Sequence, residues 1–267
     1  MFGSESLYRM QLQDVLPGAG TVPSAEVLAQ AGNYRVRLAI TQDDLRCLFR
    51  LRFLVFNIEM KEGLDTAYAQ GEDRDQFDDV CHHLLVEETE LGRIVGTYRV
   101  QTGAMAAAGH GYYSAQEFDF APYERLRRNV VELGRACIHK DFRSFEVLNL
   151  LWRGIIQYAQ ARGGRYLIGC SSVTTQDTEL GSAMYYRLEE HLVEPELRTK
   201  PTPAFAFPLS GAPAEKPQPP KLLRAYLGVG ARIGGEPALD REFKTIDFLT
   251  LLDLEKMAPS ARARYVR

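Results

Sequence analysis

Val131-Glu132-Leu133-Gly134-Arg135-Ala136-Cys137-Ile138 is the stretch that decides how this chain folds. Its apolar residues read as a buried strand, yet it carries a carboxylate and a guanidinium three positions apart. Charges are rarely buried unless they are paired or used. Plain alternation along a strand would send positions 132 and 135 to opposite faces. One extra residue at Leu133-Gly134, a β-bulge, would bring both to one face, and Gly suits that position. A core strand with Glu132 and Arg135 aimed into one cleft implies chemistry as well as structure.

Upstream of this strand, Tyr34, Val36, Leu38 and Ile40 alternate with Arg35, Arg37 and Ala39, the pattern of a half-buried strand. Thr41 with Asp44 three residues on predicts a helix start, and the helix runs to about Ile58. Its apolar stripe is Leu45, Leu48, Phe49, Val55 and Phe56, and Arg52 falls inside that stripe. Residues 63–79 are the most acidic part of the chain and read as a loop. Two strands follow, 82–87 and 93–100, across a turn at Leu91-Gly92, with Arg99 at the end of the second. The stretch 103–111 reads as flexible, and Arg125, Arg127 and Arg128 form a basic cluster.

Downstream, a helix is expected over 144–162, stopped by Gly163-Gly164, then a short buried strand over 165–170 and a hydroxyl-rich loop over 171–175. Another helix is expected over 178–191. Residues 195–220 are Pro-rich and read as an irregular insertion, and an apolar run covers 243–254. This order indicates a mixed α/β (α+β) domain with helices flanking a mostly antiparallel central sheet. The expected organisation is an N-terminal arm over 1–32, one domain over 33–257 and a tail over 258–267.

The composition, 45% hydrophobic and 25% charged over 267 residues, is that of a globular protein. A net charge of −3 gives no reason to expect nucleic acid. No apolar run approaches the ~20 residues that span a bilayer, and the first residues lack a signal-peptide core. A cytoplasmic protein is expected, with peripheral attachment to the inner membrane face left open. Cys47, Cys81, Cys137 and Cys170 are scattered without metal-ligand spacing and read as reduced. His82 and His83 are adjacent and point to opposite faces of a strand, so no metal site is expected.

The order of elements, with a charged central strand feeding a helix, resembles the GNAT N-acyltransferase fold. Arg52-x-x-x-Phe56, Asp73-x-Asp75-x-Phe77-Asp78, Gly96-x-x-Arg99 and Glu132-x-x-Arg135 are similar to the signatures of acyl-homoserine-lactone synthases. The longest resemblance is to the ornithine-lipid N-acyltransferases and related N-acyl amino acid synthases, a group also labelled hemolysin-like. It is carried by Pro219-Pro220-x-Leu222-Leu223-x-x-Tyr226-Leu227 and by Gly234-Gly235-Glu236-Pro237-Ala238-x-Asp240-x-x-Phe243-x-Thr245-x-Asp247-Phe248, and spans residues 40–255. Two departures stand out. The loop His139-Lys140-Asp141-Phe142-Arg143-Ser144-Phe145 lacks the glycines that wrap a CoA pyrophosphate. The Trp that lactone synthases carry after their helix Phe is missing, since residues 57–60 hold none.

The resemblance implies transfer of a long-chain (3-hydroxy)acyl group from acyl carrier protein to the α-amine of an amino acid, with L-ornithine favoured. No permanently bound cofactor is expected; the donor is the acyl-phosphopantetheine of the carrier. Glu132 is the candidate proton acceptor, and backbone N–H groups near Leu133 and Gly134 are candidate oxyanion donors. Arg99 or Arg135 suits the acceptor carboxylate, and Asp75 or Asp78 suits a second amine. Arg52 and Phe56 belong to the same expected acceptor site. Arg125, Arg127, Arg128, Lys140, Arg143 and Ser144 are expected to meet the donor arm and the acidic carrier. A purely structural alternative is a buried ion network of Glu132 with Arg52, and Asp75 with Arg99 or Arg135. Functional alternatives are acylation of glycine or another amino acid, a homoserine-lactone-type synthase, or a non-catalytic binder of acyl carrier protein.

Overall fold

The computed structural model describes residues 26–211 and 217–266. Along the chain come β1 (Val27–Ala31), β2 (Tyr34–Leu38), α1 (Gln42–Phe53), β3 (His82–Glu88), β4 (Arg93–Thr102), α2 (Gly103–Ala108) and β5 (Val130–Ile138). They are followed by α3 (Phe145–Ala161), β6 (Tyr166–Val173), α4 (Thr178–Leu188), α5 (Lys221–Val229), β7 (Arg232–Ile233), β8 (Ala238–Asp240), β9 (Thr245–Asp253) and α6 (Pro259–Tyr265). The fold is mixed α/β. Among the described residues every registered strand pairing is antiparallel except β5 with β6.

The described residues divide into two compact units, 26–101 with 134–161, and 102–133 with 162–265. A single domain over 33–257 was expected; the division falls inside β5, between Leu133 and Gly134. β1 lies within the expected N-terminal arm, of which residues 1–25 fall outside the described residues.

In the first unit, β1 to β4 form an antiparallel meander. The second half of β5 lies along β4, where the His139 amide donates to the Val95 carbonyl at 2.9 Å. The Thr41 side chain accepts from the Asp44 amide and Asp44 returns the bond, the expected capping box, worth about 1 kcal/mol. Asp44 also holds Arg37, which pairs with Glu87 on β3, so the same residue ties α1 to the sheet. α1 ends at Phe53 and continues as a π-helical turn over Leu54–Glu59. α3 lies close on the meander: a Cβ at Gly154 would meet Val36 Cγ1 at 2.4 Å.

In the second unit, β5 pairs with β6 in parallel over Val130–Glu132 only, and β6 then runs antiparallel to β9 through eight residue pairs. β7 and β8 pair with β9. One face of this sheet carries Val130, Ile168, Leu249 and Leu251 under Tyr112, Phe118, Phe120 and Tyr123. The other packs Val173, Ile246 and Phe248 against Met184, Leu188 and Leu223 of α4 and α5. Within the stretch read as flexible, 103–108 is helical, and strand extends to Val173 through the stretch read as a hydroxyl-rich loop; the basic cluster lies on a 3-10 helix over 121–129, and the tail contains α6. The Pro-rich stretch contains 3-10 turns at Pro195–Leu197 and Pro203–Phe205.

Candidate active site

Arg52 is a fully buried charge of the first unit, at 0% exposure. α1 turns it inward, as its place in the apolar stripe predicts. It grips Asp78 with both terminal nitrogens, at 2.8 and 3.1 Å, and donates through Nε to Asp73 at 3.0 Å. Arg99, near the end of β4, donates to Asp75 at 2.5 Å and to Asp78 at 3.1 Å. Arg135 donates to the second oxygen of Asp75 at 2.8 Å. Asp75 and Asp78 also form a capping box on the 3-10 turn Gln76–Asp79, which holds the acidic segment in place. The result is a network of three guanidiniums and three carboxylates with no net charge.

This network departs from the expected binding roles. Asp75 and Asp78 already hold guanidiniums, and Arg99 and Arg135 already hold carboxylates. Asp75 is paired with Arg99 and Arg135, as the ion-network alternative anticipates. Arg52 is paired with Asp73 and Asp78, where that alternative expects Glu132. Burial alone would raise Asp75 and Asp78, yet the facing guanidiniums hold both below the usual carboxylate range. His83, packed beside the network, is pushed down to about 4 by burial and by Arg52, so it is neutral at pH 7. Phe56 sits on the π turn, half-buried against the α1 core.

Arg135 has φ +51°, a left-handed backbone that costs a non-glycine residue about 1–2 kcal/mol. The strand irregularity was expected at Leu133-Gly134; the left-handed residue is the Arg itself. It turns the second half of β5 so that its guanidinium meets Asp75.

In the second unit, the Glu132 carboxylate accepts from the amides of Tyr113 at 2.9 Å and Ser114 at 2.7 Å. Glu132 thereby anchors a backbone turn, while Arg135 joins the ion network of the first unit. Directly beside Glu132, a Cβ at Gly169 would lie 2.2 Å from the Leu133 carbonyl oxygen, so only glycine fits there. The β5–β6 ladder is registered up to Glu132 and its partner Ile168.

The expected donor-side residues separate into two kinds. In the first unit, Arg143 is held bidentately by Glu59 at 2.5 and 2.7 Å, and the Ser144 hydroxyl accepts from the Val147 amide, while Lys140 is exposed. In the second, Arg127 is paired with Glu124, and Arg125 and Arg128 are exposed. The four cysteines form no disulfide, and burial pushes the Cys137 thiol up to about 12 and Cys170 well above its ordinary value, so neither is a ready thiolate nucleophile.

Sequence reasoning missed Glu117, Asp240 and Asp247, whose carboxylate oxygens lie within 4.8 Å of one another in the second unit. This is the one group with cation-holding geometry found among the described residues. The signal for it was a charge, Asp247, amid the apolar run of β9.

Residues 51–153 match the acetyltransferase (GNAT) domain. The chain is 31% identical to the L-ornithine N(alpha)-acyltransferase of Brucella abortus over 91% of its own length and 90% of that protein. The chain belongs to this N-acyltransferase family. The enzyme of the same name from Rhizobium meliloti is 30% identical over 90% of this chain and 86% of its own. The fold is shared with the AHL synthase LasI, at a TM-score of 0.52 and 14% identity over 88% of this chain and 96% of that one. It is shared equally with FeeM, an N-acyl amino acid synthase from uncultured soil microbes, at 0.52 and 11% identity over 87% and 96%. As a member of the family, the chain is an N-acyltransferase of the GNAT class. Among the described residues, no helix is long and apolar enough to cross a membrane.

Proposed function

We propose that the chain acylates the α-amine of L-ornithine with a long-chain (3-hydroxy)acyl group delivered as a thioester on acyl carrier protein. The observation that carries the acceptor assignment is the 31% identity to an L-ornithine N(alpha)-acyltransferase along nearly the whole of both chains. The chemistry needs a neutral amine, a place for its proton and donors for the thioester oxygen as it becomes an oxyanion.

Glu132 is the proposed proton acceptor. A carboxylate offers about four lone-pair positions, and the two amides occupy two of them. A carboxylate oxygen held by N–H donors can still accept the amine's proton, directly or through a water. The amides of Leu133 and Gly134, where β5 parts from β6, are the proposed oxyanion donors. The ion network around Arg52 positions α1 and the acidic segment, with Phe56 on its border. Arg99 and Arg135 would meet an acceptor carboxylate only by sharing with Asp75.

Carrier protein is favoured over CoA because the His139–Phe145 loop has no glycines to wrap a pyrophosphate, and because Arg125, Arg128 and Lys140 are exposed for an acidic partner. The test is kcat/KM for one acyl group on each carrier, with ornithine as acceptor, at two salt concentrations. Preferred, salt-sensitive use of the carrier-bound acyl group is expected. Equal use of acyl-CoA would overturn the donor assignment, and failure to acylate ornithine from either donor would overturn the acceptor.

A further inference from the structure

Three carboxylates of the second unit are used by nothing described so far. Glu117, Asp240 and Asp247 are 1%, 3% and 3% exposed. Strand register places two of them. Asp240 faces Thr245 and Ala238 faces Asp247 across β8–β9, and cross-strand partners point to the same face, so Asp240 and Asp247 are diagonal neighbours. On the same face, Asp247 is opposite Ser172 and Leu249 opposite Cys170, and the row continues through Ile168 to Glu132. Glu117 reaches this face from the turn that Glu132 anchors, its amide bonded to the Ser114 carbonyl.

The group is not electrically satisfied. Asp240 accepts from the amides of Glu242 and Phe243, and Asp247 from the Thr245 hydroxyl. Glu117 lies within hydrogen-bond reach of Asp247 and Cys170, and Asp247 of Ser172, yet Oε2 of Glu117 and Oδ1 of Asp247 accept no hydrogen bond from a donor group. Among the described residues, none of the three pairs with a Lys or Arg, in contrast to the matched network of the first unit. Buried carboxylates without a partner are costly, so such a group either keeps protons or holds a cation. Burial and the neighbouring acids push Glu117 well above the ordinary range and Asp247 up to about 6.

Resting on the ornithine reading above, we propose that Glu117, Asp240 and Asp247 receive the side-chain ammonium of the acceptor amino acid. An ammonium donates three bonds. Charge-assisted bonds of about 2.8 Å at tetrahedral angles span oxygens about 4.6 Å apart, within the observed spread. Acylation at the α-nitrogen leaves the side-chain amine charged, so the enzyme must accommodate a cation through the whole reaction. Asp75 and Asp78 do not offer that place, because Arg52, Arg99 and Arg135 hold them. The triad replaces them in that role and would separate ornithine from amino acids without a side-chain cation.

The test compares ornithine with norvaline, which has the same carbon chain without the amine, in the wild type, Glu117→Gln and Asp247→Asn. The wild type is expected to favour ornithine by at least about 100-fold in kcat/KM, since an unpaired buried acid rejects the apolar analogue. Each variant should cut that preference at least ~10-fold, the loss falling mainly on the KM for ornithine. A wild type indifferent to the two substrates overturns the proposal without any variant. So does a preference that survives in both variants while both rates fall together, the pattern of a structural role. A stoichiometric divalent metal in the wild type that is lost in Glu117→Gln would also overturn it in favour of a metal site. If the wild type acylates ornithine and the variants keep its preference, only the triad assignment falls; if it acylates neither, the acceptor reading falls first.

Discussion

Asp78→Asn is the sharpest probe of the ion network. Asp78 takes two bonds from Arg52 and one from Arg99, and its other acceptor bond caps the Asp75 amide. The substitution keeps the shape and removes one negative charge, leaving the buried network one positive charge in excess. Stranding a buried charge in this way costs about 3–5 kcal/mol. For a chain of this size each kcal/mol is worth about 2–4 °C, so Tm should fall by about 6–20 °C. The single Trp, Trp152, is buried in α3 of the same unit, and its fluorescence in urea reports that unit's unfolding. Adding Arg52→Gln should restore part of the loss, with a coupling of about 1–3 kcal/mol between the two sites. The acid response has a defined sign. The folded Asp78 carboxyl is held below its unfolded value of about 3.9, so its contribution is full above that pH and is lost as pH falls through the folded value. The variant should lack that part of the acid slope. A loss under about 1 kcal/mol by Trp152 fluorescence, or strict additivity in the double variant, would refute the view that the charges act as one unit.

Further outcomes follow from other positions. Glu132→Gln should fold, since its amide oxygen can still accept one of the two N–H bonds, yet slow single-turnover acyl transfer at least ~100-fold; near-normal rates would remove Glu132 from proton transfer. Gly169→Ala should destabilise the second unit by well over 1 kcal/mol, because its Cβ would lie 2.2 Å from the Leu133 oxygen, and unchanged urea unfolding would contradict that packing. Charge reversal at Arg125, Arg128 and Lys140 together should raise KM for the acyl carrier protein and flatten its salt dependence, with kcat nearly retained.

Much of the first unit was legible. Thr41 and Asp44 announced α1, and the apolar stripe placed Arg52 on the inward face of that helix. The partners themselves were harder. Asp73 and Asp78 sit in a segment whose density of acids looks like a solvated loop, and only the fold shows which of them turn inward. Glu132 was hard to place for a different reason: it accepts from the backbone amides of residues 113 and 114, and peptide groups leave no trace in residue identity. The left-handed turn at Arg135 was hidden because Gly134, beside it, is the residue chemistry would choose for it. Asp240 and Asp247 were on view in the Gly234–Phe248 motif, but their grouping with Glu117 was not, because Glu117 lies more than a hundred residues away and the pairing of β8 with β9 brings the other two together.

The π turn over Leu54–Glu59 amounts to one residue more than an α-helix would hold. In uninterrupted α geometry Phe56 would stand one turn above Arg52 on the same face; the wider π turn shifts it from that position, and residues beyond the turn are offset by about 100°. Chain length in this segment is therefore a determinant of side-chain direction. Deleting one residue between 54 and 59 should regularise the helix, keep far-ultraviolet helicity and rotate Phe56 away from its present neighbours. A relative one residue shorter here would then pack a different side chain against the α1 core, even where every residue type is kept.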